Sequence, residues 1–233
     1  MAHGFLSIAR RGLRATRDRL LLPTATSGAD QWQRVTLNEA VSRQIDLLDP
    51  PVHSAVEISG SAHAHKPWKS FVSLNHPEFD LCAPLHEVGR FDVVICEQVI
   101  EHVADPWAAA RNLRGLCTAG GHVIVSTPFL VRVHELPMYG LQDYWRFTPR
   151  GLRVLLESAG LVVDTVESWG NRSCVVGNFD RWPAYRRWHS LRNEPDLPVQ
   201  VWAFARNALA SDEPPAVRPG TPPRVESPPG CKG

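Results

Sequence analysis

Residues 91–128, FDVVICEQVIEHVADPWAAARNLRGLCTAGGHVIVSTP, contain two strand-like runs with a helical segment between them. The runs Phe91–Cys96 and His122–Ser126 are apolar on both faces, which is typical of buried parallel strands. Between them, Asp105-Pro106 matches a helix cap followed by proline at the first helical position. Parallel strands joined by a helix are the repeating unit of an open sheet with helices on both faces. The stretch therefore predicts an α/β fold.

The same alternation of strands and helices continues on both sides of this stretch. A helix is predicted after Thr148-Pro149, and Gly160 ends it. Another helix is predicted over Trp32–Leu48, and Asp49-Pro50-Pro51 terminates it. Four further short apolar runs predict strands: Ala55–Ile58, Phe71–Leu74, Leu161–Glu167 and Val199–Ala205.

Composition and charge exclude several classes of protein. The chain has 233 residues, of which 43% are hydrophobic, and this suits one α/β domain or two small ones. The formal net charge of +1 gives no electrostatic reason to expect a nucleic-acid partner. No run of about 18 apolar residues is present, so no transmembrane helix is expected. Five cysteines without C-x-x-C spacing argue against a zinc or disulfide framework and favour a reducing, cytoplasmic compartment.

Three segments are expected along the chain. Residues 1–50 form an N-terminal helical extension, residues 51–210 form the main domain, and residues 211–233 form a disordered tail with seven prolines. The first 22 residues carry five arginines and lack the apolar core of a secretory signal. They form either a solvated helix or a basic helix that makes peripheral contact with an anionic membrane.

Two parts of the chain resemble a known family. FDVVICEQVIEHV, residues 91–103, and the following residues 104–129 resemble the class I S-adenosylmethionine-dependent methyltransferases. STPFLVRVHELPMYGLQDYWRFTPRGLRVLLESAGL, residues 126–161, resembles a subgroup that includes glycan- and natural-product-associated enzymes. The resemblance covers about residues 52–206. It implies a Rossmann-like, doubly wound, mainly parallel seven-stranded sheet, with S-adenosylmethionine as the cofactor.

In such a sheet the ligand lies beyond the carboxyl ends of the strands, so the residues that follow each strand are the candidates. The resemblance implies that Asp80-Leu81 meet the adenine, where the alternative is an Asx turn, and that Glu97 and Gln98 meet the methionine moiety. His102 either contacts the site or fixes the start of a helix. The residues that the resemblance assigns to the cofactor are Glu57, Ser59, Gly60, Ser61, Asn75, Asp80, Leu81, Glu97, Gln98 and His102.

The sequence departs from the family at two of these places. Glu57-Ile58-Ser59-Gly60-Ser61 has one glycine where the family has two or three, although Gly60 still permits close backbone approach. Asn75 stands where the family tends to have an acid for the ribose hydroxyls, and it offers hydrogen bonds without charge. These departures leave open an alternative function, a non-catalytic methyltransferase-like binding or scaffold protein.

The segment after residue 128 is expected to cover the cofactor and to form the acceptor pocket. A hydroxyl that accepts a methyl group must lose a proton, so His134 is the first candidate for a general base and Asp143 the second. Tyr144, Trp145 and Arg146 are the candidate acceptor-binding residues. Asp143 could instead pair with Arg146 to hold the loop. Glu135 with Asp143 is a weak candidate for a metal pair, and no metal site is expected.

The expected reaction is methyl transfer to a hydroxyl of a small molecule or a glycan. An amine or a carboxylate remains open as the acceptor, as does a lipid-linked sugar reached through the basic N-terminus. His63, His65 and His76 lack supporting ligand spacing, so they are expected to be ordinary loop residues. The sequence does not define the oligomeric state.

Overall fold

The computed structural model describes residues 24–208 except for residues 29, 87, 138 and 139. The basic segment 1–22 and the proline-rich tail 211–233 lie outside the described residues, and the predictions for them stay predictions. In the described part of the chain, no helix is long and apolar enough to cross a membrane.

The six strands expected from the sequence are present, as are the three helices expected within residues 32–160. The strands are β1 Ser54–Ile58, β2 Ser70–Leu74, β3 Phe91–Glu97, β4 Cys117–Pro128, β5 Leu161–Trp169 and β6 Gln200–Asn207. The α-helices are α1 Val35–Leu47, α2 Pro106–Leu116, α3 Pro149–Ser158 and α4 Arg172–Asn178. A 3₁₀ turn, Trp32–Arg34, leads into α1.

The strands form one mixed sheet in the order β2-β1-β3-β4-β6-β5. β2, β1, β3 and β4 are parallel, and β6 runs antiparallel to both of its neighbours. The mainly parallel α/β architecture is confirmed, but the described residues give six strands rather than the expected seven. Between β2 and β3, the described residues of 75–90 form turns. Pro77 and Pro84 lack the backbone N–H that a strand ladder needs, which disfavours a strand there.

The helix starts follow the sequence signals. The Asp105 side chain accepts a hydrogen bond of 2.9 Å from the Ala108 N–H at the start of α2. The Thr148 hydroxyl accepts one of 3.1 Å from the Gly151 N–H at the start of α3. In both helices proline occupies the first position, where no N–H is needed.

Both faces of the sheet are buried, which makes a three-layer domain. Along β3, Val93 and Ile95 belong to the cluster under α1, whereas Val94 and Cys96 belong to the cluster under α2 and α3. This alternation is the physical basis of the unbroken apolar run seen in the sequence. The helix α1 thus packs on the same sheet as the rest, and the domain boundary at residue 50 stays a prediction.

The order in which β1, β2 and β3 pair determines where the candidate site lies. After β1 the chain passes to β2 on one side of it, and β3 then pairs with β1 on the other side. Open α/β sheets bind ligands at such a switch point, outside the carboxyl ends of the strands. The residues after Ile58, Leu74 and Glu97 therefore surround the place where a ligand is expected.

Candidate active site

A cavity of about 660 Å³ lies at this switch point. Its volume falls within the range of small-molecule and cofactor pockets. Seven of the residues assigned from the sequence line it: Ser59, Asn75, Asp80, Leu81, Gln98, His102 and Tyr144. Sequence reasoning did not single out Phe79, Val99, Leu136 and Gln142, which line it as well.

The loop after β1 is organised by the buried side chain of Glu57. The two carboxylate oxygens of Glu57 accept hydrogen bonds from the N–H groups of Ala62 and His63, at 2.9 and 3.0 Å. A Cβ atom on Gly60 would lie only 2.6 Å from the Glu57 carboxylate. Glycine is therefore needed at position 60 to let the carboxylate approach the loop. The structure gives Glu57 a role in shaping the loop, and Glu57 itself does not line the cavity.

Two residues at the cavity adopt left-handed backbone conformations. Ser59 has a φ of 54° directly after β1, and Gln98 has a φ of 56° directly after β3. Such conformations cost free energy for residues other than glycine and persist where the surroundings fix them. The Ser59 N–H donates to the Leu74 carbonyl at 2.7 Å, and the Gln98 N–H donates to the Ser126 carbonyl at 2.9 Å. Both turns are thereby tied to neighbouring strands.

A buried pair links this loop to the end of β3. His63 Nε2 lies 2.7 Å from Glu97 Oε2, and both side chains are less than 10% exposed. The other ring nitrogen of His63 and the other oxygen of Glu97 are buried and have no hydrogen-bond partner. Sequence reasoning treated His63 as an ordinary loop residue. No periodic signal connects it to Glu97, 34 positions away.

The loop after β2 presents polar groups to the cavity. Asp80 Oδ1 accepts a hydrogen bond of 2.8 Å from the Cys82 N–H, which is the Asx turn considered from the sequence. The Leu81 carbonyl accepts a bond of 2.8 Å from the Asn112 side chain on α2. This bond fastens the loop to the helix layer, so Asp80 and Leu81 are held at the cavity wall.

The segment between β4 and α3 is held by Asp143. Its carboxylate accepts hydrogen bonds from Nη1 and Nη2 of Arg146 and, at 2.8 Å, from the His134 N–H. The Asp143 side chain is 0% exposed. Burial alone raises the pKa of Asp143, but the bonds from Arg146 and the His134 N–H outweigh it and hold the pKa below its usual value. The structure thus forms the Asp143–Arg146 pair that was the alternative to a base role for Asp143.

Of the acceptor-binding candidates, the structure brings only Tyr144 to the cavity. The Trp145 indole N–H donates to the Val103 carbonyl at 2.8 Å, and its ring packs edge-on against Trp107. Eight assigned residues lie outside the cavity lining: Glu57, Gly60, Ser61, Glu97, His134, Asp143, Trp145 and Arg146.

A cluster of titratable groups lies at one edge of the cavity. Glu101 is fully buried, and neither of its carboxylate oxygens has a hydrogen-bond partner. Burial raises the pKa of Glu101 to about 8. The neighbouring His102 lines the cavity, and the His134 ring lies 5.0 Å from the His102 ring in an edge-on contact. Burial lowers the pKa of His134, which favours its neutral form.

Residues 26–166 match the family described as a methyltransferase domain, a range that includes every strand bordering the cavity. The chain belongs to this methyltransferase family. The resemblance to class I S-adenosylmethionine-dependent methyltransferases is therefore confirmed, and S-adenosylmethionine as cofactor is confirmed at the level of the family. The resemblance to a subgroup stays a prediction.

Two curated relatives are similar over part of the chain. The ubiquinone biosynthesis O-methyltransferase of Ralstonia nicotianae is 38% identical over 66 residues, which are 28% of either chain. Its counterpart in Cupriavidus pinatubonensis is 35% identical over 117 residues, 44% of this chain and 46% of the relative. The chain thus spans less than half the length of these relatives.

A solved structure shows the same fold. It is the 1,6-didemethyltoxoflavin-N1-methyltransferase of Burkholderia thailandensis, with bound 1,6-didemethyltoxoflavin and S-adenosylhomocysteine. It is 10% identical, with a TM-score of 0.51, and the match covers 89% of this chain and 91% of that one. At this identity the similarity concerns the arrangement of helices and strands alone.

Proposed function

We propose that this methyltransferase transfers a methyl group from S-adenosylmethionine to a hydroxyl of a small molecule or a glycan. The observation that carries the proposal is the cavity at the β1–β3 switch point, in a chain whose family is that of methyltransferases. The curated relatives are named O-methyltransferases, which supports a hydroxyl acceptor.

The residues at the cavity fit the cofactor. S-adenosylmethionine, when bound, supplies a methyl group on its sulfonium sulfur. The methyl group passes to the acceptor oxygen, the S–CH₃ bond breaks, and the acceptor hydroxyl releases its proton. Asp80 and Asn75, which come after β2 in the chain, line the cavity. They offer a carboxylate and an amide for hydrogen bonds to the nucleoside. Glu97, which precedes the lining residue Gln98 but does not itself line the cavity, has one buried oxygen without a partner. That oxygen suits the ammonium group of the cofactor.

On the acceptor side, the chain contributes positioning and a place for the released proton. Tyr144, about half exposed, forms part of the cavity wall, and the Asp143–Arg146 pair holds the segment that carries it. The proton-accepting groups at this edge are the imidazoles of His102 and His134 beside Glu101. Correct placement of the acceptor next to the methyl group supplies much of the rate enhancement in such reactions.

Calorimetry with S-adenosylhomocysteine tests the cofactor site. We expect binding by the wild-type protein and a loss of about 10- to 100-fold in affinity for Asp80→Asn, since one charge-assisted hydrogen bond is worth about 1.5–3 kcal/mol. Asp196→Asn, the same change at an exposed position away from the cavity, should bind like the wild type. Absence of wild-type binding would favour the non-catalytic scaffold function. An unchanged Asp80→Asn would remove Asp80 from the cofactor site.

Product analysis tests the acceptor. The protein is incubated with isotope-labelled S-adenosylmethionine and panels of phenols, sugars, amines and carboxylic acids. We expect the label in methyl ethers, identified by mass spectrometry. Label found only on nitrogen or in esters would refute the hydroxyl acceptor while leaving the methyltransferase function intact.

A further inference from the structure

The cluster Glu101, His102 and His134 brings three metal-ligating side chains together. One ligand atom from each side chain lies within 4.8 Å of those of the other two. Glu101 Oε1 and His102 Nε2 are 3.8 Å apart. Glu101 and His102 belong to the 3₁₀ turn after β3, whereas His134 comes from the segment after β4. The fold thus assembles the cluster from two separate parts of the chain.

Glu101 is the observation that points to a ligand. Its side chain is 0% exposed, yet both carboxylate oxygens lack a hydrogen-bond partner. Buried carboxylates in folded proteins are paired, hydrogen-bonded or bound to a metal. The nearby guanidinium of Arg146 is committed to Asp143 and donates nothing to Glu101. The protein around Glu101 therefore leaves its oxygens available to a cation.

The surroundings of His102 match those of a metal ligand, and those of His134 match in part. Metal-binding histidines usually present their second nitrogen to a carbonyl or a carboxylate. His102 Nδ1 lies 2.7 Å from the Gln142 carbonyl, which leaves its Nε2 for a ligand. His134 Nδ1 lies 3.1 Å from Asp143 Oδ2, although it does not make a hydrogen bond there. Arg146 in turn holds the Asp143 carboxylate in place.

We propose that Glu101, His102 and His134 bind a divalent metal ion of the zinc class. Two imidazoles and one carboxylate are one of the ligand sets of catalytic zinc sites, in which the fourth position stays open. Because His102 lines the cavity, the open position faces the space in which the proposed function places the acceptor. A metal there would bind the acceptor oxygen and ease the loss of its proton to solvent. With the metal bound, the two imidazoles serve as ligands and no longer accept that proton. This catalytic role rests on the proposed function, whereas metal binding itself does not.

Metal titration of the full-length protein after chelator treatment tests the site. We expect one equivalent of Zn²⁺ to bind by calorimetry, and one equivalent of Co²⁺ to give the absorption spectrum of a tetrahedral or five-coordinate site. Glu101→Gln and His134→Ala remove a ligand each. They should weaken Zn²⁺ binding by more than the roughly 10- to 100-fold that loss of an outer-sphere partner costs. His86→Ala, at an exposed histidine outside the cluster, should leave the affinity unchanged.

The outcomes separate the metal site from the proposed function. Absence of stoichiometric Zn²⁺ binding by the wild type, or wild-type Zn²⁺ affinity in both ligand variants, overturns the metal site. If Glu101→Gln does not fold, His134→Ala alone decides. Circular dichroism and S-adenosylhomocysteine affinity of each variant show that the fold and the cofactor site persist. Methyl transfer at full rate by the metal-free protein would remove the catalytic role while leaving the result on Zn²⁺ binding unaffected.

Discussion

Glu57→Gln should destabilise the protein through the loop that follows β1. The carboxylate accepts two backbone hydrogen bonds while only 3% exposed. Glutamine keeps one acceptor oxygen but turns its NH₂ group toward the second N–H, so one charge-assisted bond is lost and one N–H is left unpaired. We expect a cost of about 1.5–3 kcal/mol. For a domain of this size, that lowers the melting temperature by roughly 3–12 °C.

Thermal and guanidinium unfolding measure this difference. Glu39→Gln makes the same chemical change on the exposed face of α1 and should alter the free energy of unfolding by less than about 0.5 kcal/mol. The affinity for S-adenosylhomocysteine should fall in Glu57→Gln as well, since the loop borders the cavity. If the two variants unfold alike, the carboxylate does not organise the loop, and the explanation given for Gly60 fails with it.

Two further predictions concern the scaffold around the site. The Ser54 N–H and hydroxyl lower the pKa of Asp92, so the stability that Asp92 contributes exists above its unfolded pKa and is lost as the pH falls through its folded value. The wild type should therefore have a larger free energy of unfolding than Asp92→Asn at pH 7, and this difference should shrink below about pH 4. A difference that is the same at all pH values would contradict this. Gly170→Ala would place a Cβ atom 2.0 Å from the Leu197 carbonyl oxygen and should cost about 1–3 kcal/mol or more in a melting experiment. In Gly28→Ala the added Cβ atom has no other atom within 4 Å, so this variant should have the same melting temperature as the wild type.

The sequence was most informative where local signals and burial agree. Asp105 and Thr148 each combine a capping side chain with a following proline, and both helices begin there. The run Phe91–Cys96 is apolar at every buried position because helices cover both faces of β3. Such features depend on neighbours in the chain, so the sequence alone predicts them. The number of strands was an inference from the family, and it differs in the described residues.

The candidate site was less predictable because its contacts are long-range. Residues directly after strands, such as Ser59, Asn75 and Gln98, do meet at one cavity, since topology alone brings them there. The His63–Glu97 pair and the grouping of Glu101 with His134 depend on how loops pack, which no periodicity records. Asp143 was ambiguous for a different reason, since a base role and a pair with Arg146, three residues away, both fit the sequence. The structure forms the pair, and the base role stays a prediction.

The loop after β1 shows how one glycine serves where the family has more. The N–H groups of Ala62 and His63 are bonded to Glu57, and that of Ser59 is bonded to the Leu74 carbonyl. These donors are thus occupied within the protein and stabilise the loop. A loop fixed in this way needs glycine only where the carboxylate makes its close approach, at position 60. Compared with a loop whose N–H groups are unbonded, this loop has fewer N–H groups left to bind a ligand. The affinity for the cofactor must therefore depend more on the side chains at the cavity than on the backbone of the loop. For this reason Asp80→Asn is a more sensitive test of the cofactor site than any change in the loop itself.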